Sequence, residues 1–238
     1  MLGLDSTKDS LEIRSRTGYL PGEFSLPANL MGLEVLDWLS SLRPDHAPVR
    51  RAELIERFEV QLDRPMNELS KGNRQKIGVV QAFQHSPELV ILDEPTSGLD
   101  PLMQDEFHRL VREFVLEGRT VFLSSHSLDE VQHVADRVGI IRDGNLVTVE
   151  TVETLRGRGL RRATLTVASG TSDHAADLLA ATTGISDLHR RGDVFEFAIR
   201  GAFSEVLAGL GQLDVVDLLS RSADLDEVFL AMYRGDDL

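Results

Sequence analysis

Apolar positions up to about residue 150 follow two spacings, one typical of buried strands and one typical of helices. Four consecutive apolar residues, 89–92, predict a strand that is buried on both faces, as strands are in a parallel sheet. A second apolar run, 120–124, predicts another buried strand, and 17–20 predicts a strand that runs into a loop. Apolar residues recur at helical spacing in four segments, 30–42, 52–58, 70–84 and 103–115, and Gly118 ends the last of them. Strands that alternate with helices predict an α/β sandwich.

Residues suited to helix ends support these boundaries. Ser70 is placed to cap the helix over 70–84, and Asp100 followed by Pro101 is typical of a helix start. Ser127 and Glu130 fit the capping box of a further helix. Within 30–42 the buried stripe is predicted at every third position. Its members are Leu30, Leu33, Leu36, Leu39 and Leu42.

The pattern changes after residue 154. A hairpin that turns at 142–145 closes the first part, and the Gly/Arg-rich segment 156–162 is predicted to be a solvated linker. The segments beyond it predict a small α+β unit that is ferredoxin-like in its order of elements. They are the strand 163–168, the helix 174–181, the hairpin 188–199, the helix 203–210, the strand 215–219 and the helix 225–232. We therefore divide the chain into 1–154, with a helical subdomain over about 25–86, and 155–238.

Composition narrows the class of protein. The chain has 238 residues, of which 42% are hydrophobic and 27% charged, as in globular domains. A net charge of −14 argues against a broad nucleic-acid interface, so no nucleic-acid partner is expected. There is no cysteine, no apolar run of membrane-spanning length and no signal-peptide pattern. We expect a cytoplasmic protein whose membrane role, if it has one, comes through a partner.

Two carboxylates follow the first buried strand directly. Asp93 and Glu94 precede a Pro and a Gly that end the strand. Ligands of open α/β sheets bind outside the carboxyl ends of the strands, so a charged ligand or a metal is expected here. A strand that simply ends in solvated charge explains the pair equally well when it is considered alone.

Three further positions carry candidate chemistry. Ser70 and Gly72 lie at a predicted helix N-terminus, where free N–H groups attract phosphate and a glycine permits close approach. His126 follows the second strand. Each has a plainer interpretation, namely an ordinary capped helix for the first two and a loop residue for the histidine.

Four stretches of the chain together resemble the motifs of ABC-type ATPases. They are Leu69-Ser70-Lys71-Gly72-Asn73-Arg74-Gln75-Lys76, Asp93-Glu94-Pro95, Ser97-Gly98-Leu99-Asp100 and Ser124-Ser125-His126. In this order and spacing they are similar to the signature motif, the Walker B motif, the D-loop and the switch histidine of that family. The resemblance implies an α/β P-loop NTPase fold with a helical subdomain, and ATP and Mg²⁺ as cofactors.

The resemblance also implies roles for the acidic pair and its surroundings. Asp93 would help to hold Mg²⁺, Glu94 would orient or deprotonate the attacking water, and His126 would contact the γ-phosphate. Asp100 would couple two subunits, although a simple N-cap also explains it.

The signature stretch would act across a dimer. Ser70, Lys71 and Gly72 would reach a nucleotide that is held by a second nucleotide-binding subunit. The small terminal unit resembles the extra domain of ABC-2 type drug and antibiotic exporters. The implied function is ATP hydrolysis coupled to export through an ABC-2 type membrane permease, which would keep the chain at the inner face of the cell membrane.

The sequence departs from the family in three respects. Lys71 and Asn73 replace the commonest signature residues, and Glu23 stands where a loop glutamine is usual, so Glu23 is a substitute candidate for its metal contact. The chain has no Gly-x-x-x-x-Gly-Lys-Ser/Thr stretch, the P-loop that cradles phosphates. We therefore expect a truncated N-terminus and negligible hydrolysis by the chain alone. Two alternatives remain open: a non-hydrolysing module that lends its signature motif to a partner's ATP site, and a soluble ABC protein without a permease.

Overall fold

The computed structural model describes residues 1–23, 27–43, 47–158, 161–199 and 203–221. Contacts within the chain divide it into two compact units, Met1–Val134 and Ala135–Leu238. The boundary between the two units lies before the hairpin that turns at 142–145, whereas the sequence assigns this hairpin to the first domain. The boundary at residue 154 stays a prediction about domain organisation.

A three-stranded parallel sheet forms the centre of the first unit. Its strands are β1 (Thr17–Leu20), β2 (Leu89–Asp93) and β3 (Thr120–Ser124), in the order β1-β2-β3. Val90 and Leu92 of β2 are fully buried. The predicted burial of β2 on both faces is wrong, because Ile91 is only half-buried and β3 is an edge strand with exposed alternate positions. A run of apolar residues does not by itself reveal whether both faces of a strand are covered.

Six α-helices and one 3₁₀ turn are found among the described residues of the first unit. They are α1 (Ser10–Ser15), α2 (Gly32–Ser41), α3 (Arg51–Arg57), the 3₁₀ turn Met66–Glu68, α4 (Lys71–Phe83), α5 (Pro101–Leu116) and α6 (Leu128–Val134). The sequence predicts α2 to α6 but gives no signal for α1. The caps of α4 and α5 are confirmed, since the Ser70 and Asp100 side chains accept from the backbone N–H groups of Asn73 and Met103.

The predicted stripe of α2 is wrong although the helix itself is confirmed. The buried residues are Gly32, Val35 and Leu36, whereas Leu33 and Leu42 are 45% and 62% exposed. Positions three apart rotate by about 300° on a helix, so a strict spacing of three drifts around the surface. The buried face instead mixes spacings of three and four.

Helix α4 packs directly on β1. Nine of its residues are buried, and an added Cβ at Gly18 of β1 would lie 2.0 Å from the carbonyl oxygen of Ala82. Glycine at this position therefore lets the helix backbone approach the strand. The same core includes Phe58, which follows the end of α3, and Phe107 and Phe114 of α5.

The second unit begins with a hairpin and a short helix. Strands β4 (Arg137–Arg142) and β5 (Asn145–Thr151) pair antiparallel, as predicted, with Asp143 and Gly144 at positive φ in the turn. Helix α7 (Val152–Arg158) follows. The predicted linker over 156–162 is wrong in both its described parts, because 156–158 continue α7 and Arg161 begins the next strand. The apolar anchors of α7, Val152 and Leu155, precede the stretch that looked like a linker.

A four-stranded antiparallel sheet with two helices completes the second unit. Its elements are β6 (Arg161–Val167), α8 (Ser172–Ala181), β7 (Ile185–Arg191), β8 (Val194–Ile199), α9 (Phe203–Leu210) and β9 (Val215–Arg221). The order β7-β8-β6-β9 within a β-α-β-β-α-β chain is the ferredoxin-like arrangement that the sequence predicts. The predicted helix 225–232 lies outside the described residues. Within the described ranges, no helix combines the length and apolarity that crossing a bilayer requires.

The close approach at Gly18 gives a stability prediction. In Gly18→Ala the new methyl group meets the Ala82 carbonyl oxygen, so the α4 backbone must move away from β1. We expect the free energy of unfolding to fall by about 3 kcal/mol. Urea unfolding followed by the fluorescence of Trp38, the chain's one tryptophan, measures this change.

Gly118→Ala is the matched control. Nothing lies within 4 Å of an added Cβ at Gly118, and only its positive φ opposes a side chain, at a cost of about 1 kcal/mol. If the free energy of unfolding fell by the same amount in Gly18→Ala and Gly118→Ala, the contact between α4 and β1 would not be the cause.

Candidate functional site

The acidic pair lies at the carboxyl end of the central strand. Asp93 is the last residue of β2 and is in register with Ser124, the last residue of β3. The Ser124 hydroxyl donates a hydrogen bond to Asp93 Oδ1. Parallel strands end at the same edge of a sheet, and this register brings the two predicted motifs together.

Glu94 adopts a left-handed backbone conformation with φ of 49°. Such a conformation costs a non-glycine residue about 1–3 kcal/mol and persists only where the surroundings enforce it. The Glu94 N–H donates to the Ser124 carbonyl at 3.2 Å, and the buried Gln75 amide donates to the Glu94 carbonyl at 3.1 Å. Both peptide groups of Glu94 are thus held by hydrogen bonds.

The predicted histidine contacts this carboxylate. His126 Nδ1 lies 2.6 Å from Glu94 Oε2. The His126 side chain is 83% exposed and that of Glu94 is 33% exposed, so an incoming ligand can reach both. The sequence predicted that these two side chains serve one ligand, and the structure places them in contact.

The tip of α4 contacts the loop that follows the acidic pair. Lys71 Nζ donates to Ser97 Oγ at 2.8 Å. A Cβ at Gly72 would lie 2.5 Å from the carbonyl oxygen of Gly98, which has a φ of +82°. Two glycines are therefore required where the signature stretch and the D-loop-like stretch of one chain touch.

The other predicted site residues have structural contacts. Ser70 and Asp100 are exposed N-caps, so the plain interpretation of each is confirmed, while their predicted contacts to ligand or partner stay predictions. Glu23 is exposed and follows Gly22, whose added Cβ would lie 2.8 Å from Asp93 Oδ2. The loop that carries Glu23 therefore passes beside the acidic pair, as its predicted metal contact requires.

A cavity of about 270 Å³ adjoins the histidine and the acidic loop. Its lining residues belong to the loops after β2 and β3 and to α5 and α6. They are Glu94, Thr96, Ser97, Gly98, Gln104, His108, Ser125, His126, Ser127, Asp129 and Glu130. Neither Glu130 nor His108 belongs to the four motif-like stretches.

Glu130 does not form the predicted capping box. Its N–H donates to Ser127 Oγ at 3.3 Å, but the Ser127 N–H donates to Ser125 Oγ, and the Glu130 side chain is buried with 4% exposure. Burial raises the pKa of Glu130 above its ordinary value of 4.5, and Glu94 adds to this effect, while the Ser125 and Thr96 hydroxyls oppose it. The sequence did hold a sign of this burial. Glu130 lies one helical turn before Val134, so the two residues share the apolar face of α6.

Comparisons with known proteins agree with the motif pattern. The chain is 31% identical over 246 residues to the daunorubicin/doxorubicin resistance ATP-binding protein DrrA of Streptomyces peucetius, covering 98% of this chain and 74% of that protein. This chain belongs to the family of ABC transporter ATP-binding proteins. It is also 34% identical over 152 residues to an uncharacterized family member of Nostoc sp. (strain PCC 7120), where the match covers 61% of this chain and 45% of that protein. The chain therefore spans less than half the length of this ABC transporter relative.

The fold comparison supports the same family. A solved structure of an ATP binding subunit of an ABC transporter matches with a TM-score of 0.61 and 26% identity, covering 66% of this chain and 67% of that chain. A family model described as "AAA domain, putative AbiEii toxin, Type IV TA system" matches residues 33–131, which is less than half of the chain. The predicted ABC ATPase fold class is confirmed.

The oxygen groups at the edge of the sheet suit the magnesium that ABC ATPases are expected to use. Mg²⁺ is usually held by one or two carboxylates together with substrate phosphates and water. Asp93 with Ser124 supplies a carboxylate and a hydroxyl at one point. In the part of the chain that the structure describes, no set of three or more His, Asp or Glu side chains could hold a metal by itself. The residues therefore fit a metal that arrives with a phosphate ligand.

The raised pKa of Glu130 predicts a pH-dependent stability. The folded state holds the Glu130 proton more tightly than the unfolded chain, so this group's contribution is complete below pH 4.5 and is lost as the pH rises toward the folded-state pKa. Glutamine does not ionise, so Glu130→Gln should not lose this stability as the pH rises. We expect the melting temperature of the variant, relative to wild type, to increase between pH 4.5 and about pH 7.5, as calorimetry would measure.

Asp136→Asn is the control for the loss of one negative charge near α6. The Asp136 side chain is exposed and follows the end of the helix, so its substitution should leave a difference in melting temperature from wild type that changes little with pH. If the difference in melting temperature between Glu130→Gln and wild type stayed constant over this pH range, burial would not raise the pKa of Glu130.

Proposed function

We propose that this chain is the ATP-binding subunit of an ABC exporter and that it couples ATP hydrolysis to transport through a membrane partner. The observation that supports this proposal is the 2.6 Å contact between His126 and Glu94 beside Asp93, at the carboxyl end of β2. An acidic pair with an exposed imidazole suits binding of a magnesium-bound terminal phosphate and orientation of a water for in-line attack.

Each site residue then has a role that follows from its contacts. Asp93, with Ser124, would hold Mg²⁺, which would supply positive charge beside the terminal phosphate. Glu94 orients the attacking water and accepts its proton. His126, which is exposed enough to leave Glu94, contacts the γ-phosphate.

The tip of α4 serves a second nucleotide site in this proposal. Ser70, Lys71 and Gly72 present an ammonium group and free N–H groups at the start of a helix of 13 residues. They would contact ATP held by a second nucleotide-binding subunit, with Asp100 near the contact between subunits. Glu23 would approach the metal from the loop beside Asp93. The 238 residues contain no P-loop, so we assign to this chain only contacts to the terminal phosphate and metal.

The proposed partners are a membrane permease of the ABC-2 type and a second ATP-binding subunit. The name of the Streptomyces relative includes drug resistance, and its match extends over 98% of this chain, including the ferredoxin-like part. This favours an exporter subunit over a module that only lends its signature motif or acts without a permease. We place the subunit on the cytoplasmic side of the membrane, held there by the permease.

An activity measurement on the assembled protein tests this function. The protein is expressed from its own gene with a C-terminal affinity tag and purified together with the membrane proteins that it binds. We expect hydrolysis of Mg-ATP with kcat reduced about 100- to 10,000-fold in Glu94→Gln, because the variant lacks the base.

Glu88→Gln is the matched control. Glu88 precedes the same strand and pairs with Arg16 at 2.7 Å, outside the residues assigned to the site, so kcat should stay at the wild-type value. The proposal is wrong if Glu94→Gln hydrolyses ATP as fast as wild type, or if the purified assembly contains no membrane protein.

A further inference from the structure

Two buried polar side chains line the cavity without a hydrogen-bond partner. Both carboxyl oxygens of Glu130 and the Nε2 atom of His108 are buried and unpaired, and the two side chains are 4% and 8% exposed. They come from different helices, α6 and α5. Native interiors rarely leave such groups unsatisfied, so an unpaired group on a cavity wall indicates a bound polar molecule.

The packing around His108 keeps its ring in place. The ring stacks on that of His133, with centroids 5.7 Å apart and an interplanar angle of 2°. Burial lowers the pKa of His108, and the neighbouring His133 lowers it further, so the neutral ring is favoured. A neutral imidazole offers one donor and one acceptor, which suits water as a ligand.

The cavity has both the polarity and the room for several water molecules. A water needs about 10–15 Å³ of such volume and two to four polar partners. The cavity measures about 270 Å³, and the hydroxyls of Thr96 and Ser125 line it beside Glu130. The described residues offer no cluster of three metal-ligating side chains, which favours water over a metal ion.

We propose that this cavity binds a cluster of ordered water molecules held by Glu130 and His108, and that Glu130 is a positioning residue that orients the Glu94–His126 pair through these waters. Glu94 and His126 form another part of the same wall. His126 Nδ1 lies 2.6 Å from Glu94 Oε2, so in the tautomer that carries its proton on Nδ1 this nitrogen donates a hydrogen bond to the carboxyl oxygen. The waters would stabilise this tautomer on an otherwise exposed ring. The consequence for catalysis rests on the proposed function, whereas the water site does not.

Nuclear magnetic resonance on the 238-residue chain with labelled histidines tests the water site directly. In the wild-type protein we expect cross-peaks between long-lived water and the His108 ring protons. In Glu130→Leu, where an apolar side chain of similar size removes one of the holding groups, these cross-peaks should be lost. Absence of such cross-peaks in the wild-type protein would overturn the proposal.

The nitrogen chemical shifts of His126 test the positioning role. The wild-type ring should carry its proton on Nδ1. In Glu130→Leu it should revert to a mixture of the two tautomers, while Glu130→Gln, which retains hydrogen-bonding groups, should keep the Nδ1 proton. Asp136→Asn, which lies two residues beyond the same helix, is exposed and is not among the residues that line the cavity, should match wild type. An unchanged His126 in Glu130→Leu would overturn the positioning role.

A second variant covers the case in which Glu130→Leu does not fold. His108→Leu removes the other holding group from α5, and its readout is the His126 tautomer. Reversion of the His126 ring to a mixture of tautomers would support the positioning role, and an unchanged Nδ1 proton would overturn it. Neither measurement uses ATP or a partner. A failure of this proposal is therefore distinguishable from a failure of the proposed ATPase function, which only the activity of the assembly tests.

Discussion

The parallel register of β2 with β3 is the constraint on which the candidate site depends. It pairs Asp93 with Ser124, so the acidic loop and the histidine loop leave the sheet at adjacent points. His126 can then reach Glu94 although 32 residues separate them in the chain. A slip of one residue would turn Asp93 to the opposite face of the sheet and separate these groups.

The second organising contact joins helix α4 to the acidic loop. Gln75 donates to the carbonyl oxygens of Glu94 and Pro95, at 3.1 and 2.9 Å, from a buried position in the helix. Lys71 and Gly72 hold the next part of the same loop from the helix tip. Any shift of α4 relative to the sheet must therefore change the hydrogen bonds that fix Glu94 in its left-handed conformation. Within one chain, the signature stretch and the acidic pair are mechanically connected.

Local rules were sufficient for most of the elements and for part of the site. The caps at Ser70 and Asp100 follow from residue type and spacing, and the parallel sheet follows from the apolar run of β2. Tertiary contacts decided the rest. The exposure of β3 depends on which face of the sheet is covered, and the strained backbone of Glu94 depends on Gln75 and Ser124, which are distant in the chain. No local pattern encodes such contacts.

Glu130 illustrates how a local sequence pattern can suggest a capping role for a side chain that is in fact buried beside the site. Ser127 and Glu130 have capping-box spacing, and the backbone half of that motif forms. In a complete capping box the Glu130 carboxyl group would accept a hydrogen bond from the Ser127 N–H. Here the Ser127 N–H donates to Ser125 Oγ instead. Glu130 is left on the buried face of α6, where desolvation favours its protonated form. The Glu130 carboxyl group makes no hydrogen bond of normal geometry, although the Ser125 and Thr96 hydroxyls lie near it. A carboxyl group that is costly to bury suits a ligand in the cavity that it lines, and the adjacent acidic pair and histidine would give that ligand a role.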